Sequence, residues 1–172
     1  MANTNAPTGF RPLMRSIYGG PGAAALAAHK IVGAGTALFI NDVVKLGGSG
    51  TKSGLSIVAG TAGAAAIGVV LNPGAVSTAT DHIVVPGHGQ VFVAQIDTAA
   101  AADLNKNAQL VATAGDATTK MSKHSLNNVA TTNTHEFRLL KLWDSPDNEV
   151  GAYAKVEITF IESQFADQTA GV

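Results

Sequence analysis

Short runs of Val, Ile and Leu, four to ten residues long and separated by Gly, Asn, Asp or Pro, recur along this 172-residue chain. That spacing predicts an antiparallel β domain, because strands of this length need frequent turn residues between them. Seven runs read as strands: residues 29–32, 37–46, 55–59, 66–71, 82–85, 91–96 and 153–161. Residues 136–143 make a strong eighth and 109–112 a weaker ninth. In the last of the seven, Ala154, Val156, Ile158 and Phe160 alternate with Tyr153, Lys155, Glu157 and Thr159. This period of two predicts an antiparallel strand with one buried and one wet face. Helical signal is confined to residues 98–105, where Asp97 or Thr98 could cap one or two Ala-rich turns.

Between the strands, the Gly- and Ser-rich residues 47–54 have the composition of a hairpin loop. Residues 114–134 are rich in Thr, Asn and Ser, with little apolar periodicity, and predict a polar surface insertion. The first 30 residues behave differently again. Pro7, Gly9, Pro12, Gly19, Gly20, Pro21 and Gly22 exclude a helix and argue against a regular central strand. No acid precedes Asp42, while Arg11, Arg15 and Lys30 are basic. The expectation is therefore an extended basic arm over residues 1–30, followed by a single β-rich domain over 31–172. Phe10, Leu13, Met14, Ile17 and Tyr18 are too apolar for a solvated tail and imply that the arm lies against another surface.

Composition refines this picture. The apolar fraction is 46%, but 30 residues are Ala and only nine are aromatic. Burying Ala removes little surface from water at about 25 cal/mol per Å², so the core is expected to be thin and self-association to supplement it. With no Cys, disulfides and thiolate metal sites are excluded. A net charge of −1 gives no global attraction to nucleic acid or an anionic membrane. Residues 22–28, with a single Leu, are too weakly hydrophobic for a secretory signal, and the longest nonpolar run, 62–71, is too short to span a bilayer. Charge is segregated: residues 144–172 hold six acids against Lys155 alone.

Chemical motifs are sparse. Gly50-Thr51-Lys52-Ser53 lacks the Gly-Lys-Ser/Thr order of a phosphate loop, and Gly33-Ala34-Gly35 lacks the third Gly of a dinucleotide fingerprint. His29, His82, His88, His124 and His135 show no paired metal-ligand spacing. His82 and His88 flank Pro86-Gly87, where Asp81 could join them, but a turn with solvated His is the favoured reading. Ser, His and Asp are present without a nucleophile elbow. Residues 144–149 read as a hairpin connection rather than a calcium loop. Trp143 ends a strand and is expected to be a core or interface anchor. No catalytic, metal or cofactor site is expected; a small hydrolase using His88 and Asp81 is a distant alternative.

Three segments carry a resemblance. Ala37-Leu38-Phe39-Ile40-Asn41-Asp42-Val43-Val44-Lys45-Leu46, then Ile67-Gly68-Val69-Val70, then Gly89-Gln90-Val91-Phe92-Val93, following a Gly/Pro-rich basic arm, resemble the lambda-type head decoration (cement) proteins of tailed bacteriophages. Residues 148–156 and 162–165 look like the endings of phage structural proteins. The resemblance implies a mainly β fold, a small barrel or tulip-like domain with an extended amino-terminal arm and at most one or two short helices. It further implies a homotrimer on the outer surface of the virion, bound to the major capsid protein, with Phe10, Arg11, Leu13, Met14, Arg15 and Ile17 as the capsid-binding arm. Neither nucleic acid nor membrane is an implied partner. This chain is longer than the smallest decoration proteins, notably through residues 114–134. A receptor- or glycan-binding tail-fibre module using Trp143 is the alternative.

Overall fold

The computed structural model describes residues 3–18, 26–28, 37–47, 56–75 and 81–164. They form strands β1 (Arg11–Ser16), β2 (Leu26–Ala28), β3 (Val43–Leu46), β4 (Ile57–Ala59), β5 (Gly68–Val70), β6 (His82–Pro86), β7 (Gln90–Gln95), β8 (Thr98–Ala99), β9 (Asn107–Val111), β10 (Ser125–Ala130), β11 (Phe137–Leu142), β12 (Gly151–Ala152) and β13 (Lys155–Phe160). The mainly β character expected from the sequence is what the structure has, and its strand ladders are antiparallel. One sheet has the order β1-β7-β13-β11-β9-β10, a second the order β2-β6-β5-β3-β4, and β8 pairs with β12 as a short ribbon.

The barrel expectation is corrected. A single bridge, Ile96 to Leu126, draws one end of β10 back towards β7, but no ladder continues it. The six-stranded sheet does not close, and the second sheet packs against one of its faces. Val43, Val69 and Val85 of the second sheet join Phe92, Val156, Ile158, Phe137, Leu139 and Leu110 of the first in one buried cluster. On the far face of the second sheet, Val44, Ile57, Ile67, Val70 and Val84 pack with Leu38. Gly68 permits this: a Cβ there would lie 2.1 Å from the Val85 carbonyl oxygen.

The interior is better filled than composition implies. Phe10, Phe92, Phe137 and Phe160 meet at its centre, with Phe10 to Phe137 and Phe137 to Phe160 both 4.8 Å between ring centroids. Such aromatic pairs add about 0.5–1.5 kcal/mol each beyond the area they bury. Only five described alanines belong to the core, so the abundant Ala says little about the core's density.

Most expected strands are present. Of the others, 29–32 lies outside the described residues, as does the 48–55 part of the hairpin loop, although β3 and β4 pair as that hairpin requires. The helix expected at 98–105 is instead a 3-10 turn, Ala101–Asp103, after β8. The insertion at 114–134 divides. Residues 114–124 are irregular, with Asp116 accepting hydrogen bonds from the Thr118 and Thr119 amides, whereas 125–130 form β10 against β9. The polar strand escapes a periodicity reading because only Leu126 and Val129 are large and apolar.

The extended arm also requires correction. Residues 11–16 form an edge strand on β7, and Phe10 is fully buried in the domain's own core. Before it, Asn3 bonds to Glu149 and Ala152. The Ala6 amide donates to Gln95 Oε1 (2.9 Å), and the Phe10 amide donates to the Asn41 carbonyl (2.9 Å). Gly9 makes the entry feasible with a φ of +72°, where a Cβ would lie 2.4 Å from the Asn41 oxygen. Pro12 is tolerated because an edge strand uses only one of its two hydrogen-bonding sides. No helix among the described residues is long and apolar enough to cross a membrane.

Candidate functional site

Strand register places an unusual set of side chains on the outer face of the six-stranded sheet. Arg11 lies opposite Val93, Val93 opposite Glu157, and Glu157 opposite Lys141; directly opposed residues point to the same side. One step along, Lys155 opposes Gln95, and Arg138 opposes Thr159. Arg15 reaches the same side, since its guanidinium bonds to the Glu157 carboxylate. Five cations, Arg11, Arg15, Arg138, Lys141 and Lys155, therefore share this sheet face with one strand carboxylate, Glu157. In a chain of net charge −1 this is a strong local asymmetry.

The five are not equivalent. Glu157 is buried and receives Arg15 on one oxygen and Lys141 Nζ, at 3.3 Å, on the other. This corrects the expected wet face of β13: Glu157 and Thr159 are buried, and Lys155 alone of the strand's outward residues is exposed. The stems of long side chains from the flanking strands shield a central strand such as β13 from solvent. Arg138 Nε donates to Asn107 Oδ1 at 2.6 Å. Arg11 and Lys155 remain, and among the described residues neither has an acidic partner. The Arg11 guanidinium carbon instead sits 5.4 Å from the centre of the Trp143 ring, a cation–π contact.

Two grooves indent this face. The first, of about 250 Å³, is lined by Arg11, Trp143, Lys155, Gln95, Thr8 and Ser145 among others. The second, of about 350 Å³, is bounded by Arg15, Lys141, Ile17 and Glu157. Trp143 is held in register by Asn148, whose Nδ2 donates to the carbonyls of Trp143 (2.7 Å) and Lys155 (2.8 Å) while its Oδ1 accepts from the Lys155 amide (2.8 Å). Residues 144–149 thus form the expected connection between β11 and β13, with β12 following before β13 begins.

The six residues expected to form a binding arm divide accordingly. Phe10 belongs to the core and is unavailable to a partner while the domain is folded. Arg11 and Arg15 lie on the basic face, Leu13 is half-buried, Met14 lies in β1 with its side chain outside those described, and Ile17 is 43% exposed beside the second groove. Lys141, Lys155 and Arg138 were missed. In sequence they are scattered over 18 residues that span β11, the 144–149 connection, β12 and the start of β13, and only register unites them with Arg11.

Ser122, His124 and Asp42, which no sequence motif singles out, form a buried cluster. His124 Nδ1 accepts from the Val43 amide (3.2 Å) and Nε2 faces Asp42, while Ser122 Oγ accepts from the His124 amide, so neither imidazole nitrogen addresses the hydroxyl. Burial raises Asp42 to about 6 and lowers His124 to about 4. His82 is not a solvated turn residue; it is buried, with Nδ1 3.0 Å from the Asn72 carbonyl, and burial lowers its pKa. His88 is exposed. Among the described residues no group of three His, Asp or Glu side chains is placed to hold a metal. Gly33-Ala34-Gly35 and Gly50–Ser53 lie outside the described residues.

Comparisons with protein families, with curated proteins and with solved structures find no match.

Proposed function

We propose that this chain is a structural virion protein that binds the outside of an assembled tailed-phage head and cements neighbouring major capsid subunits. The observation that carries the proposal is the basic outer face, an antiparallel surface with five cations against one strand carboxylate. The resemblance of residues 37–46, 67–70 and 89–93 to lambda-type decoration proteins supports the same reading. These segments supply β3 and β5 of the second sheet and β7 of the first.

In this proposal the protein acts by binding alone. A ligand that engages the assembled lattice but not its separated subunits shifts the equilibrium towards the lattice by mass action. A homotrimer would multiply modest contacts through effective concentration. The partner is met by the sheet face and not by a flexible arm, because residues 3–18 are built into the domain.

Mixing the purified protein with undecorated heads and imaging the particles by electron microscopy tests this. Copies distributed over the capsid, with a sedimentation mass near three times 17.4 kDa for the free protein, are expected. Absence from the head, or a few copies at the tail tip, would reject cementing; the latter would support a receptor-binding module.

A further inference from the structure

Arg11, Arg138 and Lys155 are the cations of the basic face with no carboxylate partner among the described residues; Arg138 is held by the Asn107 amide oxygen, whereas Arg11 and Lys155 line the same groove. Their placement follows from the ladder: Arg11 on β1 and Lys155 on β13 flank β7 from opposite sides, two residues apart in register. Strand spacing separates their backbones by about 12 Å, and both side chains border one cavity of about 250 Å³.

The groove is also preorganised. The Arg11 guanidinium is held over Trp143, which limits its rotamers without consuming its charge or its hydrogen-bond donors. Asn148 fixes the backbone that carries Trp143 and Lys155. Gln95 forms a set wall, its Oε1 accepting from the Ala6 amide and its Nε2 donating to Asn5 Oδ1 at 2.8 Å. Asp144, Asp147 and Glu149 belong to the turn beyond Trp143, and none is among the lining residues.

We propose that this groove is a docking site for an acidic polypeptide segment, whose carboxylates pair with Arg11 and Lys155. The inference rests on the cementing proposal for the identity of the partner, a capsid subunit, but the groove's chemistry can be tested without it. Charge complementarity selects carboxylates. A polypeptide is favoured over an acidic saccharide because a sugar docks by stacking on an aromatic face, and here Arg11 covers one face of Trp143. A guanidinium and an ammonium presented together suit extended Glu or Asp side chains, with Arg accepting a carboxylate in its two-pronged geometry.

The probe is a hexaglutamate peptide, titrated calorimetrically against the full chain, with hexaglutamine and a tetraglucuronate as controls. Hexaglutamate is expected to bind in low salt and to weaken in 0.5 M salt, with no binding by hexaglutamine. The Arg11→Gln/Lys155→Gln double variant should bind hexaglutamate at least tenfold more weakly while its thermal unfolding midpoint stays within a few degrees. Lys120→Gln/Lys123→Gln removes the same charge from the irregular 114–124 segment and should leave binding unchanged. Failure of hexaglutamate to bind, equal weakening by both double variants, or equal affinity for tetraglucuronate would each overturn the assignment. On undecorated heads, full attachment of the Arg11/Lys155 variant alongside wild type would refute the groove and leave cementing intact. Peptide binding without any attachment of wild type would do the reverse.

Discussion

His124 Nε2 lies 3.5 Å from Asp42 Oδ1, with both side chains less than 5% exposed. The imidazole accepts a hydrogen bond at Nδ1 and so carries its single proton on Nε2, towards the carboxylate. Asp42 Oδ2 accepts from the Phe39 amide at 2.8 Å, whereas Oδ1 has no hydrogen-bond partner within normal geometry. This leaves the pair opposed in its response to acid.

The folded protein holds the Asp42 proton more tightly than the unfolded chain does, with a pKa of about 6 against 3.8, because burial disfavours the anion. That contribution is fully present below pH 3.8 and is lost as pH rises through 6. His124 resists protonation, with a pKa of about 4 against 6.5, again through burial. Its contribution is present above pH 6.5 and is lost as pH falls through 4. Between about pH 4 and 6 the two nearly cancel, because folded and unfolded states bind the same number of protons at this pair. The single variants should separate them: Asp42→Asn should lose stability as pH falls from 6.5 to 4, and His124→Gln should gain it as pH falls from 6 to 4. Each slope approaches about 1.4 kcal/mol per pH unit. Urea unfolding midpoints across this range provide the measurement, and parallel profiles for the two variants would contradict the argument.

Phe10→Ala should destabilise the domain by about 3–5 kcal/mol, the usual cost of emptying a buried aromatic site. Deleting residues 1–18 should cost more, since it removes β1 as well as the ring. Urea unfolding of the point variant and far-ultraviolet circular dichroism of the truncation check both. A truncated protein that remains fully folded would show that the segment is dispensable. Attachment experiments therefore need surface variants and not amino-terminal deletions.

Arg15→Ala and Lys141→Ala should each cost less than about 1 kcal/mol, because each cation is about half exposed and the other remains beside Glu157. The double variant should cost about 3 kcal/mol, as it leaves a buried carboxylate with no cation. Adding Glu157→Gln to the double variant should recover part of that loss. A double-mutant cycle by chemical denaturation reads the non-additivity directly.

Asn148→Ala should cost about 2–3 kcal/mol, on the order of 1 kcal/mol for each of three backbone hydrogen bonds. Asn148→Asp should be worse, since a carboxylate oxygen would then face the Trp143 and Lys155 carbonyls. Hydrogen exchange at the Lys155 amide should accelerate in both, with protection in β9 largely retained.

The strands legible in the sequence were those with large apolar side chains at strand spacing, such as β7 and β11. Of those that were not legible, β2, β8 and β12 are only two or three residues long, and β1 and β10 are the two edges of the six-stranded sheet, where only one side must pair and where Pro12 or Asn128 can be accommodated. Glu157 was misplaced for a related reason: alternation identifies which residues share a face, and β13 does have that alternation. It cannot reveal that Arg15, 142 residues away, folds across the other face. The basic surface was half visible, as Arg11 and Arg15 in an acid-free segment. Its remaining members became apparent only when register set β1, β7, β13 and β11 side by side.

The order of that sheet has a consequence for biosynthesis. The strand between β7 and β11 is β13, which a ribosome makes after every other described strand. Until it emerges, β1 and β7 have no ladder joining them to β11, β9 and β10, and Phe10 lacks the Phe160 side of its cage. The ladder that unites the two half-sheets can therefore form only once β13 has been released, which makes this strand the last piece of the six-stranded sheet to be supplied.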